Sequence, residues 1–340
     1  MRPARELPIA AARPSRAAWP WKLTKPWTVN YLAWDHVTAR QAVVVLPRAW
    51  GPNHHPHPLP LVISPHGRNN HALNNARGYW QNLPAAGPFA LVCPDGLARA
   101  HSAETDPLDR PPDPSLFTYG NVGHVHDLAR MPKIVEATLP WLGLQRDRVY
   151  VLGSSMGGQE TLLLAARYPK ALAAGHGKLA GAAAFDAPCD LAVQCGYLTN
   201  HRPAVAANMI EEVGTRPTST RGWNLEARYF NRKRRSHETI RSLLAQLPKG
   251  QAAWNQRSAL SFTRKLASLP FPLRLYWSTE DIVVGNQERD QTGKLFAAVE
   301  RLAPNAGVTP IRGQWAHSHE FFPGDQLGAA LAAFGLISEV

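Results

Sequence analysis

The chain is poor in cysteine, with three in 340 residues: Cys93, Cys189 and Cys195. That excludes a small scaffold stapled by disulfides. Cys93 lies in FALVCPDG, which reads as a buried strand, whereas Cys189 and Cys195 are near enough in sequence either to bridge or to remain as two reduced thiols. Long apolar runs are also missing. Nothing approaches the ~18 consecutive apolar residues of a membrane-spanning helix, so no membrane span is expected. The basic N-terminal stretch Met1–Trp21 lacks an apolar run of signal-peptide length. The expectation is a soluble, cytoplasmic protein if Met1 is the true start, and a secreted one if a leader has been lost. No repeat of fixed period and no long low-complexity tract is present.

Acidic residues are the scarcer charge, 25 against 37 Lys and Arg, for a formal net charge of +12. Such a balance suits nucleic acid, an anionic surface or an acidic substrate. The sharpest basic run, Asn231–Ser236 (NRKRRS), has no RNA-binding signature or zinc-finger spacing around it, so no nucleic-acid partner is expected and the run reads as a solvated loop or helix face. The histidine cluster His54, His55 and His57 lies in a Pro-rich loop without neighbouring carboxylates, which speaks against a metal.

What the chain does have is alternation. Short apolar runs ending in turn residues (TVNYLAW, RQAVVVLP, LPLVISPHG, FALVCPDG, DRVYVLGSS, KLAGAAAFDAP, FPLRLYWSTED, VTPIRGQWAHS) alternate with longer stretches of helical spacing, among them NNARGYWQNLP, GHVHDLARMPKIVEATLPWL, GGQETLLLAARYP and DQLGAALAAFGLI. A Pro-rich loop spans Thr105–Ser115. The alternation predicts an α/β fold, a mostly parallel sheet with helices on both faces, and unbroken apolar runs are what strands buried on both faces require. Residues 1–27 read as an N-terminal extension, and 28–190 with 262–340 as the core. Residues 191–261, polar, basic and irregular, read as an insertion covering one end of the sheet and the active site. Its aromatics Trp223, Tyr229, Phe230 and Trp254 are expected to pack against the core or, less often, to build a substrate pocket.

The chemistry concentrates at VYVLGSSMGGQETLLLAARYP, where a strand meets a helix at Gly153-Ser154-Ser155-Met156-Gly157. This fits G-x-S-x-G, a turn that holds the serine in a strained corner with its hydroxyl projecting and a helix N-terminus behind it. The glycines let strand and helix pass without Cβ clashes. No Lys follows as a P-loop requires, and Ser155 occupies the second glycine position of a dinucleotide turn. Ser155 is the expected nucleophile, Ser154 its neighbouring alternative, and the Met156 N–H an oxyanion donor. The elbow needs an acid and a histidine later in the chain. Asp281 stands just past a strand in STEDIVVG, with Glu280 as competitor. His317 and His319 both follow the last strand. His66-Gly67-Arg68 ends an earlier strand, where the Arg68 N–H could face the same oxyanion.

These segments resemble the α/β-hydrolase esterases of the feruloyl esterase, S-formylglutathione hydrolase and mycolyltransferase group. DRVYVLGSSMGGQETLLLAARYP is similar to that group's elbow, SPHGRNN to its oxyanion turn, STEDIVV to its acid turn, and HSHEFF to its histidine ending. The resemblance implies the α/β-hydrolase fold with a cap-like insertion. It further implies a Ser155–Asp281–His317 triad, favouring His317 over His319, an oxyanion hole of Met156 and Arg68, and His66, Gly67 and Ser154 lining the substrate. Cleavage of a small-molecule ester through an acyl-enzyme follows, with no metal and no cofactor. His319 stands where the group has an aromatic residue. A peptidase of prolyl oligopeptidase type, an acyltransferase and a catalytically silent binding protein on the same fold are the alternatives.

Overall fold

The computed structural model describes residues 13–14, 26–48, 50–68, 70–80, 83, 87–96, 118–168, 177–231, 234–321 and 326–338. Most of the N-terminal extension and the whole Pro-rich loop Thr105–Ser115 lie outside these residues.

Eleven strands are described: β1 Arg13–Pro14, β2 Trp27–Leu32, β3 Ala39–Val45, β4 Leu59–Ile63, β5 Ala90–Pro94, β6 Leu144–Ser154, β7 Leu179–Phe185, β8 Arg228–Asn231, β9 Ser236–Thr239, β10 Leu273–Ser278 and β11 Val308–Gly313. Nine form one sheet in the order β1-β2-β3-β5-β4-β6-β7-β10-β11. β3 runs antiparallel to both β2 and β5, and from β5 to β11 every pairing is parallel. β4 and β5 are buried at every residue, as a position inside the sheet requires. The edge strand β11 is partly or wholly exposed throughout.

Two apolar layers lie on opposite faces, and successive strand residues divide between them, as the two-residue period of a strand requires. Leu61, Ile63, Val92, Val149, Val151, Ala182 and Leu275 face α2 (Val122–Thr138), α3 (Met156–Arg167) and a later helix, Thr292–Leu302. Val62, Leu91, Cys93, Leu152, Ala183 and Tyr276 pack with α1 (Ala72–Tyr79) and the closing helix Gln326–Ala333. The helix expected over Asn74–Pro84 begins two residues earlier, at Ala72, and ends at Tyr79, while residues 81, 82 and 84 of the expected span lie outside the described residues.

Residues 191–261 are less irregular than expected. They form α4 (Leu191–His201), α5 (Pro203–Val213), the β8–β9 hairpin, α6 (Ile240–Ala245) and α7 (Gln251–Gln256). These share their own apolar cluster, in which Leu198, Ile210, Tyr229, Leu244 and Trp254 meet Tyr119 and Met156 of the sheet's rim. Trp254 is fully buried, donates its indole N–H to the Thr215 carbonyl at 3.0 Å and stacks edge-on with Trp223. Packing is thus the use that Trp223, Tyr229 and Trp254 serve, whereas Phe230 faces solvent. Arg257 pins α5 down by donating to the Glu212 carboxylate (3.1 Å) and carbonyl (3.0 Å) and to the Thr118 carbonyl (3.3 Å).

Arg234 and Arg235 of the basic run occupy the hairpin turn, a solvated loop as expected. All three cysteines are free and buried, so Cys189 and Cys195 form no bridge. Among the described residues no helix is long and apolar enough to cross a membrane.

Candidate active site

β6 ends at Ser154 and α3 begins at Met156, leaving Ser155 alone to turn the chain. It does so at φ 58°, ψ −126°. A non-glycine residue there carries strain on the order of 1–3 kcal/mol, and such strain persists only where the surroundings over-determine it. They do: the Ser155 N–H donates to the Phe185 carbonyl on β7 (2.8 Å), and the Ser155 carbonyl accepts from the Gln159 N–H (3.0 Å). The glycines serve close approach. A Cβ on Gly153 would stand 2.5 Å from the Gly157 carbonyl oxygen, and one on Gly157 2.2 Å from the Pro65 carbonyl oxygen. Met156 opens α3, so its N–H belongs to the unpaired first turn, where the helix dipole gathers partial positive charge.

The turn His66–Arg68 comes down beside this corner, with the Gly67 Cβ direction 3.7 Å from the Ser155 Cβ. His66 is 8% exposed, its Nε2 accepts from the Gly96 N–H (2.9 Å), and its Nδ1 therefore donates to the Gly67 carbonyl (2.8 Å). Burial lowers its pKa, which keeps the ring neutral. With both nitrogens on backbone partners, His66 shapes the turn. The Ser154 hydroxyl donates to the Ser318 hydroxyl at 2.5 Å.

Asp281 follows β10 and is 8% exposed. One oxygen accepts from the Val283 and Val284 N–H groups (2.8 and 3.0 Å), and the other from Gln287 (3.1 Å) and His317 Nδ1 (2.7 Å). Burial raises its pKa, but the His317 hydrogen bond and charge, with the Val284 and Gln287 donors, more than offset this and hold it below the usual range. Glu280 is exposed, and so is His319. The structure thus joins Asp281 to His317 and leaves both competitors in solvent.

Sequence reasoning missed Asp186, the residue after β7, which takes φ 46°. Its carboxylate accepts from the Ser278 N–H (3.0 Å), the Trp315 indole N–H (3.0 Å) and the Ser318 N–H (2.8 Å). The available signal was an Asp at the carboxyl end of a strand in an open sheet, where such folds place ligands. Asp186, Asp281 and His317 bring ligand-type atoms within 4.8 Å of one another. Each of the four carboxylate oxygens already faces N–H donors, which a cation would have to displace. His54 and His57 pack edge-on against Trp50.

Below the corner, Glu160 on α3 is buried against His124 (3.2 Å) and the Thr118 hydroxyl. Burial opposes its ionisation, yet His124 and Thr118 hold its pKa below the usual range. Thr118 also touches Met156 Sδ at 3.5 Å, so this buried pair braces the first turn of α3. Above the corner, a cavity of about 20 Å³ is lined by Ser155, Met156, Arg68, Leu198, Val205 and Val284, among others.

No protein-family model and no curated protein matches the chain. Solved structures do, at low identity. An S-formylglutathione hydrolase from Agrobacterium tumefaciens is 13% identical, with 97% of this chain and 99% of that one covered at a TM-score of 0.56. A fluorophosphonate-binding serine hydrolase of Staphylococcus aureus is also 13% identical, with 92% and 98% covered at 0.55. An acylaminoacyl peptidase from Pyrococcus horikoshii is 12% identical, with 92% and 41% covered at 0.59. The chain spans about a third of the length of the dipeptidyl peptidases it also matches, 35% for that of Porphyromonas gingivalis. These likenesses make the fold that of the α/β-hydrolases, as expected.

Proposed function

We propose that this α/β-hydrolase chain is a serine hydrolase that cleaves carboxylic esters of short acyl groups through an acyl-enzyme on Ser155. The observation that carries the reading is the strained Ser155 at the head of α3, on the same rim as the 2.7 Å Asp281–His317 hydrogen bond.

In this reading His317 Nε2 takes the Ser155 proton as the hydroxyl oxygen attacks the ester carbonyl. The His317 Nδ1–H donates to Asp281, which fixes the tautomer and stabilises the imidazolium. The oxyanion forms at the N-terminus of α3, facing the Met156 N–H and, from the neighbouring turn, the Arg68 N–H. Each such donor is worth about 2.7–4 kcal/mol to the transition state. His317 returns the proton to the leaving alkoxide, and water repeats the sequence to release the acid.

Short acyl groups are favoured by the cavity. One enclosed water needs ~10–15 Å³ of such space, and the room beside Ser155 is about 20 Å³ with mostly apolar walls. Because α4 and α5 supply Leu198 and Val205 to those walls, residues 191–261 act as the cap. The peptidases among the structural relatives keep amide cleavage as the second reading.

The test is labelling by a fluorophosphonate probe, with wild type and Ser155→Ala read side by side by intact mass, followed by acetyl ester and peptide anilide assays. An adduct on wild type alone, with acetyl ester turnover that falls by on the order of 10⁶ in the variant, is the expected result. A folded wild type that takes no adduct would overturn the proposal.

A further inference from the structure

Two carboxylates, not one, converge on the His317 turn. Asp281 holds the ring, while Asp186 holds the backbone and indole on either side of it: Trp315, two residues before His317, through Nε1–H, and Ser318, one residue after, through its N–H. The third donor to Asp186, the Ser278 N–H, belongs to the last residue of β10, the strand that leads into Asp281. A single carboxylate thereby ties the ends of three adjacent strands, β7, β10 and β11, at the point where acid and base meet.

The backbone is strained to allow this. Asp186 takes φ 46°, while its own N–H continues the sheet to the Tyr276 carbonyl at 2.9 Å. Its side chain is 1% exposed. A carboxylate that deep is costly, and a neutral amide would be the cheaper way to fill the space. An amide could not replace it, however. One oxygen accepts from the Ser278 N–H and the other from Trp315 and Ser318, so an amide NH₂ in either orientation would set donor against donor.

Resting on the proposed triad, we propose that Asp186 is a positioning residue for it: its carboxylate fixes the Trp315–Ser318 turn that aims His317 and adds a second negative charge beside the imidazolium formed during the reaction. The groups that face Asp186 agree with this. The turn after β10 brings Asp281 and the turn after β11 brings His317, within 4.8 Å. The other titratable groups of those turns, Glu280 and His319, are exposed. The elbow brings only hydroxyls, with Ser154 bonded to Ser318. When His317 takes the Ser155 proton, the cation arises next to two buried carboxylates.

The experiment is the pH profile of kcat/KM for an acetyl ester in wild type, Asp186→Asn and Trp315→Phe. Wild-type turnover that Ser155→Ala abolishes secures the underlying reading, and its absence defeats that reading without reference to Asp186. Given turnover, Asp186→Asn is expected to lower kcat by about tenfold or more with KM little changed. Its acid limb should move to lower pH, because removal of a nearby negative charge disfavours protonation of the base. Trp315→Phe removes one donor but keeps the charge, so kcat should fall by a smaller factor and the limb should stay. An Asp186→Asn enzyme that loses kcat without moving the limb, or that matches wild type, overturns the inference. If Asp186→Asn does not fold, Trp315→Phe decides: a several-fold loss in kcat at constant KM supports it, and wild-type kcat overturns it.

Discussion

The hydroxyls of Ser154 and Ser318 lie 2.5 Å apart, joining the residue before the elbow to the residue after His317. Ser318 itself takes φ 60°, so two strained turns, on β6 and after β11, are clasped by one side-chain bond. Ser154→Ala should therefore loosen the spacing between Ser155 and His317 without removing either. A loss of about 0.5–1.5 kcal/mol in stability is expected for one buried hydrogen bond. It should come with a several-fold fall in kcat and full retention of the fluorophosphonate adduct. Urea melts and intact mass check these together, and loss of the adduct would make Ser154 more than a clasp.

Gly157 faces the opposite wall. A methyl group there would meet the Pro65 carbonyl oxygen at 2.2 Å, and the nearest atoms are all backbone of Pro65 and His66, which leaves nothing flexible to give way. Gly157→Ala should cost at least the ~1–3 kcal/mol typical of overpacking and push the His66–Arg68 turn away from Ser155. The readout is kcat together with the urea midpoint. A fully active, fully stable variant would mean that the corner is looser than these distances imply.

The cavity walls set acyl length. Val284 is 2% exposed and lines the space beside Ser155. Val284→Ala should shift the preference from acetyl toward propionyl and butyryl esters by ~10-fold or more, the usual worth of one methylene in an apolar pocket. Competition assays of kcat/KM across the acyl series measure this. An unchanged ratio would place the acyl group elsewhere.

Asp186 predicts a pH signature in stability that is independent of catalysis. Burial, with Asp281 adding to it, raises its pKa from 3.8 to about 6. Between those values the folded state holds a proton that the unfolded state releases, so wild-type stability falls as pH rises through that window. Asp186→Asn has no such charge to bury. Relative to wild type, the variant should gain roughly 3 kcal/mol between pH 4 and pH 7, since each pH unit crossed between the two values is worth about 1.4 kcal/mol. Urea melts at intervals across that range give the difference directly, and a flat difference would contradict it. Asp281 has the opposite sign: its stabilisation is present above 3.8 and fades below, as its depressed pKa is crossed.

Much of this molecule was legible in the sequence. The elbow could be read because its determinants are local: a buried strand, two glycines that must lack Cβ atoms, a serine and a helix follow one another within a few residues. β4 and β5 announced themselves as inner strands by unbroken apolar runs. Asp281 and His317 were legible by position, each placed after a strand end, but their choice over Glu280 and His319 rested on resemblance until burial separated them. The insertion was read as irregular because α6 and α7 are six residues each, too short for a helical period to stand out. Their apolar face is completed only by α4 and α5.

His66 and Asp186 mark where the sequence alone stops. HG implies a turn after a strand, yet only the approach of Gly96 from the loop after β5 occupies the Nε2 of His66. FDAP implies a strand followed by a turn, yet only the adjacency of β7 to β10 and β11 brings Asp186 under the His317 turn. Period, glycine spacing and strand order in the chain are properties of neighbours in sequence, so sequence determined the sheet and the corner serine. Which carboxylate meets which N–H depends on strands as much as 130 residues apart coming together, and that only the tertiary structure decided.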